Sequence, residues 1–184
     1  MVRVWAGLGF LLSVAPAFAE GPMQVMPVRD VDVTYQAPVP NSENTMLLQR
    51  MRFSTLLRRQ RLDMPTSGHW ILRDLAARSM SVVSDSQKSV VRVGLPPDAG
   101  EMNLAPGEHW VLNGKVNIAG YSCNDWQVAG TNQSGDTICL TDDGVTLRST
   151  HGSRVVMQAV TLNYAPQPGD IFVVPVDYTE IQPR

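Results

Sequence analysis

Residues 117–148 read NIAGYSCNDWQVAGTNQSGDTICLTDDGVTLR, and both cysteines of the chain, Cys123 and Cys139, fall inside this stretch. Around them the side chains alternate. Tyr121, Cys123 and Asp125 point one way, and Ser122, Asn124 and Trp126 the other. Period-two alternation broken by Gly and Asn clusters is the pattern of strands and hairpins. The Asp143-Gly144 pair between two such runs is a strong hairpin signal. The stretch predicts two disulfide-stapled hairpins anchoring a sheet.

The rest of the chain supports an all-β reading. Residues 30–37 (DVDVTYQA) alternate cleanly and form the expected first strand. Residues 46–64 (MLLQRMRFSTLLRRQRLDM) contain good helix formers, but a helix would put Arg50, Arg58 and Arg61 among Leu47, Met51 and Leu57. That is a poor apolar stripe. Two strands joined near residues 56–58 fit better. Residues 69–74, 79–84 and 89–93 follow as short strands linked by polar four-residue turns, an antiparallel meander. Residues 94–107 hold three prolines and are expected to form a long loop, the one place for a lid or a family-specific insertion. Residues 108–112 resume the sheet, and 155–164 (VVMQAVTLNY) are the strongest strand pattern. Residues 171–174 and 176–181 are expected to close the domain as edge strands bent at Pro175.

The chain opens with Arg3, an uncharged apolar run over residues 5–14, Pro16 and Ala17-Phe18-Ala19. These are the n-region, h-region and small-x-small site of a cleaved export signal, and the run is too short to span a bilayer. Residues 1–19 are thus expected to be a signal peptide, 20–29 an extended lead-in, and 30–184 a single β domain. No lipoprotein cysteine follows the apolar run, so the expected location is the periplasm or the exterior. In such a compartment Cys123 and Cys139 are expected to pair. The mature chain would carry 14 basic and 17 acidic side chains, a balance that argues against nucleic acid and anionic membranes as partners.

No constellation points to catalysis. There is no Gly-x-Ser-x-Gly elbow. His69, His109 and His151 are single and widely spaced, unlike zinc ligands, and Asp142-Asp143 lacks the pattern of a calcium loop. No catalytic residue, metal ligand or cofactor is therefore assigned. Arg50, Arg52, Arg59 and Arg61 form a cationic stripe on one face of a hairpin, a candidate partner-binding site.

Three segments carry a resemblance. Residues 115–126 (KVNIAGYSCNDW) are similar to the "IaGyxC" core of exported bacterial proteins grouped as a domain of unknown function. Residues 74–83 (DLAARSMSVV) resemble a strand pair of the same group, and Phe172-Val-Val-Pro175 with Tyr178 its closing segment. That group distantly resembles the lipoprotein-carrier (LolA-like, LppX-like) fold. The resemblance implies a strongly curved antiparallel sheet, an open barrel with few or no helices, around a concave apolar face. Val33, Phe53, Val82, Val91, Val160 and Leu162 are expected to line it. The expected function is that of a non-enzymatic binding or accessory protein for an apolar ligand or an envelope-protein segment. The alternatives are docking of a partner through the Arg-rich hairpin and, last, an enzyme.

Overall fold

A computed structural model describes residues 21–22, 24–39, 45–97, 99, 104–130 and 135–182. The expected signal peptide, and part of the 94–107 loop, lie outside the described residues. Twelve strands form one sheet: β1 (Val31–Pro38), β2 (Met46–Ser54), β3 (Arg59–Met64), β4 (His69–Asp74), β5 (Ser79–Ser84), β6 (Ser89–Gly94), β7 (His109–Ile118), β8 (Tyr121–Ala129), β9 (Thr137–Leu140), β10 (Thr146–His151), β11 (Arg154–Tyr164) and β12 (Thr179–Glu180). Their spatial order is β12-β6-β5-β4-β3-β2-β1-β11-β10-β9-β8-β7. Every pairing is antiparallel except the short parallel contact of β12 with β6. The sheet is curved and open: β7, at one edge, comes back into contact with β11, while β12 ends the other edge.

From β2 to β6 the chain keeps a ten-residue beat, with turns at 55–58, 65–68, 75–78 and 85–88. The last residue of each turn has positive φ: Arg58 (50°), Gly68 (66°), Arg78 (51°) and Lys88 (46°). Turns on the same end are tied together, since Leu75 N–H donates to the Arg58 carbonyl at 3.0 Å and Leu95 N–H to that of Arg78 at 2.8 Å. The β7–β8 hairpin turns on Ala119 (φ 51°) and Gly120 (φ 82°), two left-handed residues in the manner of the tight turns that match strand twist. Cys123 on β8 and Cys139 on β9 are bonded, with their Cα atoms 5.4 Å apart.

Register gives each face its composition, because directly opposed residues share a face. One row across the inner face runs Leu162, Val33, Met51, Leu62, Ile71, Val82 and Val91. Its β11–β1–β2 end is buried, in a cluster with Tyr35, Phe53, Ile118, Val145, Leu147 and both cysteines. Val33, Phe53, Val82, Val91 and Leu162 thus stand on the expected face. Val160 does not. The β1–β11 register slips between Thr34 and Tyr35, so Thr161 and Ala159 are opposed in succession and Val160 is left 39% exposed. A bulge of this kind leaves its extra residue unpaired.

The outer face of β4–β6 carries a second cluster, Trp70, Leu72, Val83 and Val90, closed by Phe172. Here the expectation of two edge strands is corrected. Residues 169–172 make a single 3-10 turn, residues 173–178 run without regular structure, and only Thr179–Glu180 joins the sheet. Pro166, Pro168 and Pro175 lack the N–H groups that a ladder needs. The segment instead drops the fully buried Phe172 onto the sheet as a strap.

Candidate functional site

The two faces of the β3–β6 half are treated differently. The outer cluster is sealed by the C-terminal strap, whereas Leu62, Ile71, Met80, Val82 and Val91 on the inner face are only half-buried. Leu62, Ile71 and Met80 border a cleft of about 280 Å³ whose walls also include Tyr35, Met51 and Met157. Its lining is mainly apolar, with Gln49, Gln60 and Arg73 as polar points. Arg73 makes a 3.4 Å hydrogen bond to Gln60. A wider cleft of about 740 Å³ lies at the turn end, between Phe53, Leu75, Leu95 and the side chains of Arg58 and Arg78. Residues Met26 and Pro27 border both.

Tyr35 defines the floor. Burial pushes its phenol pKa up, so it stays protonated and donates to the Thr146 carbonyl at 2.8 Å.

At the rim, Asp143 gathers four donors. Arg29 reaches it through Nε (2.9 Å) and Nη2 (2.5 Å), Tyr164 through its hydroxyl (2.8 Å), and Thr141 through its hydroxyl. The Arg29 guanidinium also lies 3.8 Å from the centre of the Tyr164 ring. Burial pushes the Asp143 carboxyl up, but the hydrogen bonds from Thr141, Arg29 and Tyr164 outweigh it and hold the group below its ordinary 3.8. Asp30 behaves alike: burial is outweighed by the Thr55 hydroxyl and N–H and by the Gln167 N–H.

A folded pKa below the unfolded value gives stability that is complete above the unfolded pKa and is lost as pH falls through the folded one. The Asp143→Asn variant lacks that contribution at any pH. In urea unfolding, the wild type is therefore expected to lose more stability than the variant on acidification from neutral pH to about pH 3. Equal losses would contradict the role given to Asp143.

The sites singled out in the sequence are placed as follows. Arg50, Arg52, Arg59 and Arg61 all stand on the outer face and are engaged within the chain. Arg50 pairs with Asp32 (2.5 Å), Arg52 and Arg61 share Asp63 (2.6 and 2.8 Å), and Arg59 meets Asp74 (2.7 Å) directly across β3–β4. Arg59 and Arg61 also donate to the strap carbonyls of Phe172 (3.4 Å) and Ile171 (2.8 Å), and Arg61 stacks 3.8 Å over Trp70. A partner docking here would share these groups with their carboxylates; Arg50, with half its side chain exposed, is the most open to one.

The histidines are not brought together. His69 contacts the Ser67 carbonyl and His151 contacts Asp136, while Asp142 accepts from Asn124. Among the described residues no group of three His, Cys, Asp or Glu could hold a metal ion. The residues that sequence reasoning missed are Arg29, Tyr164 and the Met26–Pro27 pair. A basic residue closing the Pro-rich lead-in is the one signal that could have raised Arg29.

No family model and no curated protein matches the chain. Solved structures do match it. An uncharacterized conserved protein from Thermus thermophilus aligns with a TM-score of 0.57 at 15% identity, over 84% of this chain and 91% of that one. MucB aligns with a TM-score of 0.56 at 15% identity, over 84% of this chain and 60% of MucB. The MucA/MucB complex of Pseudomonas aeruginosa aligns with a TM-score of 0.53 at 14% identity, over 83% of this chain and 58% of that one. The likeness is one of fold. This chain spans about 60% of the MucB length, and the curved, open sheet is what the two share.

Proposed function

We propose that this chain is an exported, non-enzymatic binding domain of the periplasm that holds an apolar ligand on the inner face of its open sheet. One observation carries the reading. The fold covers the outer apolar face of β4–β6 with a dedicated strap and leaves the inner face of the same strands half-bare beside a cleft of about 280 Å³. That volume lies just below the range of about 300–1,000 Å³ usual for ligand pockets. Apolar surface left uncovered next to a cleft lined by few polar groups is the ordinary character of such a site.

The similarity to MucB supports the reading, since MucB is solved in complex with MucA(peri). The export pattern at residues 1–19 and the paired cysteines agree with a periplasmic setting, and no described helix is long and apolar enough to cross a membrane.

A fluorescent apolar probe titrated into the purified full chain is expected to bind saturably at one site. Its failure to saturate, with no apolar material recovered by solvent extraction of the protein purified from cells, would refute the reading.

A further inference from the structure

One stretch of the chain lies where a ligand would. Residues 24–29 belong to no strand, yet they cross the rim of the inner face and form a wall of both clefts. Pro27 is buried, and Met26 packs against the inner cluster. The sheet meets this stretch with a shaped seat. Gly144, at φ +85°, would carry its Cβ within 2.2 Å of the Met26 carbonyl oxygen, so only glycine lets the backbone approach so closely. The next residue back, Asp143, accepts the Val28 N–H on its own carbonyl at 3.1 Å. Its carboxylate takes Arg29, which stacks on Tyr164.

These features recognise a peptide. A carbonyl packed on a glycine, an N–H met by a carbonyl, a partly buried Met beside a buried Pro and a basic side chain held by a carboxylate and a ring together describe a main chain with side chains in register. A hydrocarbon tail has no N–H to offer Asp143 and no cation for its carboxylate.

We propose that the inner face is a peptide site, that residues 25–29 are its built-in occupant, and that it opens to a segment of another protein with the same chemistry. That segment is a short apolar run, of the Val-Met-Pro-Val kind, followed at once by Arg or Lys. The proposal rests on the ligand-face reading above and sharpens it. Displacing the built-in segment removes the wall shared by the two clefts, and they become one groove bounded by Met51, Phe53, Leu62, Ile71, Leu75 and Leu95. An acidic residue in place of the basic one would face the Asp143 carboxylate and be rejected, which is how such a site discriminates.

The test uses a labelled peptide, acetyl-Gln-Val-Met-Pro-Val-Arg-Asp-amide, copied from residues 24–30. It is titrated into the full chain and into the full chain with Met26→Ser and Arg29→Ser, which weaken the occupant and keep the seat. A self-occupied site taxes the apparent affinity by the fraction of time it is free, so binding to the double variant is expected to be at least about tenfold tighter. The Arg→Glu peptide is expected to bind the variant at least about tenfold more weakly, as is the parent peptide once Asp143→Asn is added.

Equal binding to wild type and variant, or indifference to the peptide's charge, overturns the proposal. So does a dimer formed by exchange of the segment between copies. If the double variant loses its circular-dichroism signature, Arg29→Ser alone replaces it; unfolding there too shows a purely structural segment and also overturns the proposal. An apolar probe run in parallel separates the two claims. A probe that binds where the peptide does not leaves the ligand face standing and removes the peptide.

Discussion

Replacing Phe172 with alanine is expected to lower the unfolding free energy by about 3–5 kcal/mol, the cost of deleting a buried aromatic ring and leaving its cavity. The ring is fully buried against Trp70, Leu72, Val83 and Val90, and no other side chain of the strap is as enclosed. Ile171, Val174 and Tyr178 pack beside it but are only partly buried, and the other ties are polar and near the surface. Tyr178 and the Trp70 indole both donate to Asp85 (3.0 and 2.9 Å), Lys88 pairs with Asp177 at 3.1 Å, and Thr179 and Ile181 donate to the β6-side carbonyls of Lys88 and Val90. Exposed ion pairs contribute little, typically under about 1 kcal/mol. Without the ring the strap loses its most enclosed contact, so Trp70 should become wet and its fluorescence should shift to the red. Phe172→Leu keeps most of the volume and is expected to cost less than about 1.5 kcal/mol. A Phe172→Ala loss below about 1 kcal/mol with unchanged Trp70 emission would show that the outer cluster does not depend on the strap.

The second large effect concerns the disulfide. Cys123 and Cys139 join β8 to β9 across a separation of 16 residues, and both lie in the inner cluster beside Ile118, Val145 and Leu147. Closing a loop of that length restricts the unfolded chain by an amount equivalent to about 3 kcal/mol. The Cys123→Ala/Cys139→Ala variant is therefore expected to unfold with about 3 kcal/mol less free energy, read by chemical denaturation. With the two residues only 2% and 0% exposed, the bond should also resist reduction until the domain is denatured. Two thiols that label in the native, exported protein would contradict the pairing.

Much of the sheet was legible because alternation is a local property. Val31, Val33, Tyr35 and Ala37 are buried in strict alternation along β1, as their spacing demands. The four-residue turns at residues 65–68 (PTSG) and 85–88 (DSQK) were equally plain, since polar clusters interrupt the apolar pattern there. What could not be read depends on two strands at once. Val160 has the right parity for the inner face and misses it because a bulge against β1 shifts the register at Tyr35. The arginine stripe of β2–β3 looks like free charge until register sets Arg59 opposite Asp74 and brings Asp63 between Arg52 and Arg61. The Phe172 segment reads as a strand because its residues are β-formers; the prolines around it and the bare cluster on β4–β6 redirect it into a strap. Gly144 was legible as a turn glycine, but the backbone that its missing side chain admits comes from Met26, distant in the chain.

The central claim is that the inner face, and not the strapped outer face or the arginine hairpin, receives the ligand. The most direct measurement is a methyl NMR titration of the full chain with an apolar probe. The methyl signals of Met51, Leu62, Ile71 and Met80, which border the inner cleft, are expected to shift together along one saturation curve. Those of Leu72, Val83 and Val90, sealed under the strap, are expected to stay in place. Shifts confined to the outer set, or to residues around Arg50 and Arg52, would contradict the account.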